Sequence, residues 1–378
     1  MDFLLNNKHI LLRKMFNDFA SNQVKDFANE IDEEERFPIE NVEKMKELKM
    51  MGITVDKKFG GSEADYLSYV LAIIELSKYC ATTGVVLSAH TSLCIDPIQR
   101  FGTLEQKQKY LPKLATGEHL GAFALTEPDA GTDAGSQKTT AIDKGDYYEL
   151  TGSKIFITNA GYADVYIVFA LTEPSLKTRG ISTFIIEKDM PGFTVGKKEK
   201  KLGIKGSATC ELHFNKVKVP KENLLGKVNK GFKVAMTTLD GGRIGIAAQA
   251  IGIAFGALEE TIKYVNERKQ FGRSISKFQN TQFVLANLQT KTEAAYLLVL
   301  RAALMKQDGK PYAKEAAMAK LMASEVAMEV TTKCLQLFGG YGYTREYPIE
   351  RMMRDAKITE IYEGTSEVQR MVIAASIL

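Results

Sequence analysis

The chain contains no tryptophan, so any aromatic plane it offers a flat ligand must come from its 19 Phe or 15 Tyr. It has four cysteines, Cys80, Cys94, Cys210 and Cys334, far apart and without a CxxC pair, which excludes both a disulfide framework and a cysteine zinc site. They read as reduced thiols in packed surroundings. Charge of one sign is also missing. Against 50 Lys and Arg stand 46 Asp and Glu, a net +4, so no strong field favours nucleic acid or an anionic membrane. No apolar run is expected to approach the length that spans a bilayer. The first residues, Met1 to Lys14, include Asn6, Asn7 and Lys8 where a secretory signal would be apolar, and a cytoplasmic location is the default expectation. Internal repeats and low-complexity linkers are missing too.

What is present is a chain of 378 residues, 45% hydrophobic, long enough for two or three domains. Residues 1–120 read as helical: Leu67, Val70, Leu71 and Ile74 recur at i, i+3, i+4 and i+7, one apolar stripe facing a core. The acidic run Asp32 to Glu35, the turn Gly60-Gly61 and Pro97 punctuate these helices. Residues 121–227 change to period two. Cys210, Leu212 and Phe214 alternate with polar neighbours, and Val165 to Leu171 is a buried-strand run, predicting a compact β domain. Residues 228–378 return to helix, with bundle-length segments near 231–268, 278–307 and 312–338. Met318, Met322 and Met328 in the last of these are core filler. The lysines at 197, 198, 200, 201 and 205 read as a solvated face of the β domain.

One carboxylate stands out. Glu363, in Ile361-Tyr362-Glu363-Gly364-Thr365-Ser366-Glu367, precedes a helix for which Ser366 and Gln369 predict a capping box. A carboxylate in the loop before a helix can project into a cavity. Stripped of water by apolar walls, its pKa rises from about 4.3 toward neutrality, the range a general base needs. The plainer reading is an anion near a positive helix end, and for an isolated Glu that reading is preferred, so the rest of the chain must decide.

Other segments bear on that choice. Phe123 to Ser136, FALTEPDAGTDAGS, is a loop of small residues and hydroxyls whose backbone can approach a ligand closely, yet it is neither GxGxxG nor a P-loop. In Lys154-Ile155-Phe156-Ile157-Thr158-Asn159, alternation puts Phe156 and Thr158 on one strand face, an aromatic plane beside a hydroxyl that suits a heteroaromatic ring and equally suits a packed sheet. Glu267 to Gly272 closes a helix with two cations, and Gln336 to Gly342 closes another in glycines; each is a phosphate or cofactor contact or merely a C-terminus.

Taken together, FALTEPDAGTDAGS, FITNA, KLGIKGSATCELHF, LDGGRIGIAAQA, ERKQFGR, QLFGGYGYTREYPIERMMRDAKI and IYEGTSE resemble the acyl-CoA dehydrogenase family over nearly the whole chain, closest to its short-chain, butyryl-CoA branch of anaerobic bacteria. The resemblance implies an α+β multidomain fold with an N-terminal all-α domain, a middle β-barrel or sandwich domain and a C-terminal four-helix bundle. It also implies FAD, a homotetramer, and electron exchange with an electron-transferring flavoprotein. Residue by residue, it implies that Phe123, Leu125 and Thr126 lie along the flavin and Thr132 toward the CoA moiety. Phe156 and Thr158 would flank the ring, where many relatives carry Trp in place of Phe156. Arg268, Phe271, Gln279, Gln336 and Gly340 would reach FAD across a subunit interface, and Thr365 and Glu367 would hold it at the last helix. Asp240, Arg243 and Gly364 would contact substrate. Glu363 becomes the catalytic base, taking the α-proton while the β-hydride leaves for flavin N5, with its own backbone N–H polarising the thioester carbonyl. Branches that place the base in the helix around LDGGR have a residue where this chain has only Gly241 and Gly242.

The resemblance implies no metal. Ala81 to Ser92 carries no Arg or Lys that would hold a second carboxylate, which disfavours a dicarboxylic substrate. The segment His90 to Asp96 is expected to line or back the distal pocket, with His90 a hydrogen-bonded packing residue. Longer, branched or aryl-acyl thioesters, the reverse enoyl-CoA reduction and an O2-using oxidase remain as alternatives. A DNA-binding flavoprotein of the same fold is a more distant one: Tyr341 to Leu378 has five basic against six acidic residues, not a basic extension.

Overall fold

The computed structural model describes residues 5–378, so the part of the N-terminal expectation that falls on residues 1–4 lies outside the described residues. Seven helices come first: α1 Asn7–Phe19, α2 Lys25–Glu33, α3 Ile39–Glu47, α4 Tyr66–Ser77, α5 Ala81–Ser88, α6 Asp96–Phe101 and α7 Leu104–Thr116. Asn6, Asp65 and Thr103 cap α1, α4 and α7, their side chains accepting a backbone N–H three residues on. Between α5 and α6 the chain runs as a π-helix, Ala89–Ile95, every residue of it buried. Such wide turns are uncommon and concentrate at functional sites.

Eight strands follow: β1 Gly121–Ala124, β2 Thr140–Asp143, β3 Tyr147–Thr158, β4 Val165–Leu171, β5 Ile181–Glu187, β6 Phe193–Lys198, β7 Thr209–Pro220 and β8 Leu224–Leu225. The expected barrel or sandwich is realised as one hydrogen-bonded sheet in the order β6-β7-β3-β2-β4-β5-β8, with β1 parallel to β4. Strand β4 reads as an apolar run because both of its faces are covered. Tyr166, Val168 and Ala170 join the core inside the sheet domain, while Val165, Ile167 and Phe169 pack with Tyr110 and Leu111 of α7 and with Val234 and Ala235.

The last third is α8 Gly231–Glu267, the short hairpin β9 Lys269–Gln270 and β10 Arg273–Ser274, α9 Gln279–Gln307, α10 Ala313–Phe338, α11 Ile349–Ile358 and α12 Ser366–Ile377. Helix α8 corrects the expectation about apolar runs: it is 37 residues long with a window hydropathy of 1.3, enough to cross a membrane by length and composition. Of that window 94% is buried inside the protein, so its apolarity serves the core. It packs on α4, α9 and α10. Close approach to α4 depends on glycine: a Cβ on Gly252 would stand 2.4 Å from the Ile74 carbonyl oxygen, and one on Gly256 2.1 Å from that of Lys78.

The lysine patch is also revised. Lys197 and Lys200 are exposed, but Lys198 donates to the Glu35 carbonyl, Lys201 donates to the Ser207 carbonyl at 2.8 Å, and Lys205 lies 3.9 Å from the Glu35 carboxylate. The KLGIKG segment is tied as firmly to α11. Asp355 accepts the Ile204 N–H, and Arg354 donates to the Leu202 carbonyl while pairing with Asp32 of α2 at 2.6 Å. One helix thereby joins the three parts of the chain.

Candidate active site

The loop Leu125 to Thr139 has little backbone pairing of its own, chiefly the reciprocal bonds between Glu127 and Ala130, so much of its shape must come from side chains. A buried ion pair supplies it. Lys154, with no exposed surface, projects from β3 and donates to the Glu127 carboxylate at 2.8 Å, the Gln137 side-chain oxygen at 3.0 Å and the Leu125 carbonyl at 3.1 Å. Glu127 accepts in addition the N–H groups of Lys138 and Thr139, and beside the Lys154 ammonium and these donors its pKa stays below the ordinary value despite desolvation.

The loop is stitched to β3 where the Ile155 N–H donates to the Thr126 carbonyl at 2.9 Å. Here the pairing of β3 with β7 slips between Lys154 and Ile157, and Phe156 takes a positive φ of 60°. This bulge re-aims the ring rather than leaving it in plain alternation, and Phe156 ends 59% exposed while Thr158 is half-buried. Leu125 is buried, Thr126 and Phe123 are half-buried, and Thr132 is exposed at the loop tip.

Glu363 lies in the segment after α11 and before α12. The N-cap of α12 is Thr365, whose Oγ1 accepts the Val368 N–H at 3.4 Å; the expected Ser366 cap is thus one residue late, and Ser366 is the first helical residue. Thr365 takes the role because its extended φ of −61° and ψ of 167° match a cap, while Glu363 and Gly364 just before it turn through the left-handed region, φ 53° and 93°. Gln369, expected in the capping box, instead donates to the Glu363 and Gly364 carbonyls at 3.2 and 2.8 Å. Lys320 of α10, fully buried, donates to the same Gly364 carbonyl at 2.8 Å. Exposed Glu367 lies in the first turn of α12.

The Glu363 carboxylate lies against α8 at Gly242: a Cβ there would stand 2.0 Å from Oε2 and 2.8 Å from Cδ2 of Leu93 in the π-helix. Among the described residues Oε2 is buried with no hydrogen-bond partner, and the backbone N–H of Glu363 has no acceptor within the chain. Burial pushes this carboxyl up to about 8, against the opposing charges of Lys320 and Arg243. Tyr362 and Tyr66 hold the flanks, hydroxyl to the Gln249 side-chain oxygen and hydroxyl to the Gly241 carbonyl. Arg243 pairs with Asp240 at 2.6 Å and keeps a buried Nε without a partner. His90 is a packing residue as expected: it takes the Gly121 N–H on Nδ1, faces the Leu114 carbonyl through Nε2, and burial lowers it to about 4.

The structure therefore brings Glu363, Gly364, Asp240 and Arg243 together around α8. It does not bring the second group there. Gln336 lies 16 residues beyond Lys320 on α10, about 24 Å at the helical rise, and Arg268 lies beyond the far end of α8 from Gly242. Arg268 sits over the Tyr341 ring at 5.3 Å, Phe271 is 94% exposed beside Phe278, Gln279 is exposed, and around Gly340 there is open space. Sequence reasoning missed Lys320. The available signal was one lysine in the run Ala316-Ala317-Met318-Ala319-Lys320-Leu321, where every other residue is apolar.

A sheet domain set in sequence between two helical parts, with an unpartnered carboxylate oxygen buried against α8, defines the class. The chain belongs to the acyl-CoA dehydrogenase family: the models of that family's N-terminal, middle and C-terminal domains match residues 6–118, 122–217 and 229–378. Within it, the chain is 59% identical over 377 residues to the short-chain-specific acyl-CoA dehydrogenase of Clostridium acetobutylicum, covering 100% of both. Butyryl-CoA dehydrogenase from Megasphaera elsdenii superposes with a TM-score of 0.98 at 51% identity, and a chain from a structure of the electron transferring flavoprotein of Acidaminococcus fermentans with 0.98 at 56%, each covering 100% of both chains. The family is FAD-dependent. The residues present fit that cofactor: an exposed Phe face, neighbouring Thr hydroxyls and a buried, unpartnered carboxylate oxygen suit a flat heteroaromatic ring with an acyl chain laid across it.

Proposed function

We propose that this protein is an FAD-dependent short-chain acyl-CoA dehydrogenase that interconverts an acyl-CoA and its trans-2-enoyl-CoA, with Glu363 as the base and an electron-transferring flavoprotein as redox partner. The observation that carries the reading is the half-buried Glu363, whose Oε2 is buried, unpartnered among the described residues and pressed against a glycine, with its pKa pushed up to about 8. A surface carboxylate capping a helix would be low and solvated. When bound, FAD supplies the acceptor for the β-hydride.

The remaining work falls to the chain. Glu363 takes the α-proton, and its unengaged N–H is free to donate to the thioester carbonyl. Gly242 leaves the space in which the carboxylate sits, and Leu93 forms an apolar wall that keeps water from it. Phe156, Thr158, Phe123, Leu125 and Thr126 form the face for the flavin, Thr365 and Glu367 its support at α12, and Thr132, Asp240, Arg243 and Gly364 the thioester contacts. Half-buried Arg268 and the exposed Phe271, Gln279, Gln336 and Gly340, away from Glu363 in this chain, serve the flavin of a neighbouring subunit in a homotetramer. Domain limits near residues 120 and 227 and a cytoplasmic location belong to the same reading.

The test is an anaerobic visible spectrum of the purified flavoprotein titrated with butyryl-CoA, then with longer and branched thioesters, beside Glu363→Gln. Bleaching by butyryl-CoA in wild type and not in the variant is expected. A yellow protein that no acyl-CoA bleaches would overturn the reading.

A further inference from the structure

Lys320 is a fully buried cation with no surface outlet, set among Ala316, Ala317, Ala319 and Ala323, which are themselves fully buried. Burying an ammonium is costly unless it is matched, so its partners reveal its use. Its one hydrogen bond is to the Gly364 carbonyl, at 2.8 Å. That carbonyl belongs to the two-residue left-handed turn that carries Glu363, a backbone conformation a non-glycine residue adopts at a cost and keeps only when its surroundings hold it. Gln369 grips the same turn from α12. The charges around the ammonium are Glu363 itself, Glu360 at the end of α11, Glu367 on α12 and, opposing, Arg243 on α8. Those around the carboxylate are Lys320 and Arg243, with the hydroxyls of Tyr66 and Tyr69 on α4 and Tyr362 beside it.

We propose that Lys320 is a positioning residue for the reaction, fixing the Glu363–Gly364 turn through the Gly364 carbonyl and supplying the positive charge that ionised Glu363 faces. The inference rests on the base assigned above. As a positioning group it does two separable things: it holds the Gly364 carbonyl, and its charge offsets part of the burial that raises Glu363 to about 8, as the Glu363 charge offsets part of the burial that lowers Lys320 to about 8.

The two roles separate in two variants of the holoenzyme. Lys320→Gln removes the charge and keeps an amide donor; Lys320→Met removes both. With the charge gone, the acid limb of the kcat/KM pH profile for butyryl-CoA should move up by about 1 unit in both variants, the shift a nearby opposite charge produces. At neutral pH that lowers kcat/KM about tenfold. Lys320→Arg, which restores the charge, should return the limb toward wild type. An acid limb that stays in place in Lys320→Gln would overturn the proposal, because a mere staple does not move it. The carboxyl can also be followed without turnover, by infrared titration of the ligand-free holoenzyme with Glu363→Gln identifying the band. A midpoint that rises in the Lys320 variants of a protein that no thioester bleaches would overturn the dehydrogenase reading and leave only the charge coupling between Lys320 and Glu363; a midpoint that does not move in an enzyme that butyryl-CoA bleaches would overturn the role of Lys320 alone.

Discussion

Gly242→Ala is the sharpest test of the site, because one methyl group should separate activity from stability. Gly242 lies inside α8 with ordinary helical backbone, where Ala is preferred over Gly by about 1 kcal/mol. The new Cβ would stand 2.0 Å from the Glu363 Oε2 and 2.8 Å from Leu93 Cδ2, both far ends of flexible side chains. Ordinary contact is about 3.5 Å, so the carboxylate must retreat by roughly 1.5 Å. The fold tolerates that shift, whereas a base displaced by about 1 Å loses on the order of 100-fold in rate, near 2.7 kcal/mol of barrier. The assay is stopped-flow bleaching of the flavin by butyryl-CoA beside calorimetric Tm. Expected are a rate lower by about 100-fold and a Tm equal to or above wild type. Gly252→Ala in the same helix is the control. There the Cβ meets the Ile74 backbone oxygen at 2.4 Å, which cannot swing away, so about 1–3 kcal/mol of stability should be lost with the chemistry of the folded fraction unchanged. A Gly242→Ala enzyme that bleaches at the wild-type rate would refute the placement of the base, and one that loses rate and Tm together would refute the claim that only the carboxylate yields.

Three further outcomes are expected. Because the folded pKa of Glu363, about 8, lies above its ordinary 4.5, the fold favours the protonated form; the cost of its charge is absent below about pH 4.5, grows as pH rises to about 8 and is constant above. Glu363→Gln should therefore match wild type in Tm near pH 5 and exceed it near pH 9, by about 1–2 kcal/mol once partial exposure is discounted, while its bleaching rate falls by about 10²–10⁴-fold; an equal gap at both pH values would deny the raised pKa. Lys154→Met leaves Glu127 buried without its cation and should cost about 3–5 kcal/mol, with amide exchange accelerating first in residues 126–139. Since the chain has no Trp, Phe156→Trp introduces a single reporter whose fluorescence should be quenched in the flavin-loaded protein and recover when FAD is stripped; unchanged emission would place the ring elsewhere.

The parts of the fold that could be read from sequence are those set by periodicity. The apolar repeats of α4 and α8 and the alternation of β7 record which face is dry, and that decides element type over long windows. What could not be read depends on partners brought from elsewhere in the chain. Thr365 and Ser366 are equally good caps by residue type, and only the left-handed turn at Glu363 and Gly364 selects the first. The bulge at Phe156, where the pairing of β3 with β7 slips and φ turns positive, is not announced by alternation. The apolar length of α8 means a membrane span or a protein core, and only its packing against α4, α9 and α10 decides. The lysines at 198, 201 and 205 carry no mark that they turn inward toward Glu35 and Ser207.

Lys154 and Lys320, the lysines with no exposed surface among the described residues, explain how irregular segments are held still around the site. A loop without a ladder has carbonyls to satisfy, and an ammonium on a flexible stem offers three donors that can reach acceptors of no fixed geometry. Lys154 does this with a permanent counter-charge, Glu127, so its loop has the same electrostatic balance at every stage of the reaction. Lys320 differs, because the carboxylate whose charge it opposes is the proposed base. When Glu363 takes a proton, the ammonium keeps the Gly364 carbonyl and loses the nearer of its opposing charges, leaving Glu360 and Glu367 against Arg243. The protonated state is thereby raised relative to the ionised one, by the same interaction that lowers the pKa of Glu363. A lysine in this position limits how far burial can carry the base, keeping its pKa in the range where it can both accept the proton and give it back, as a reaction that runs in either direction requires.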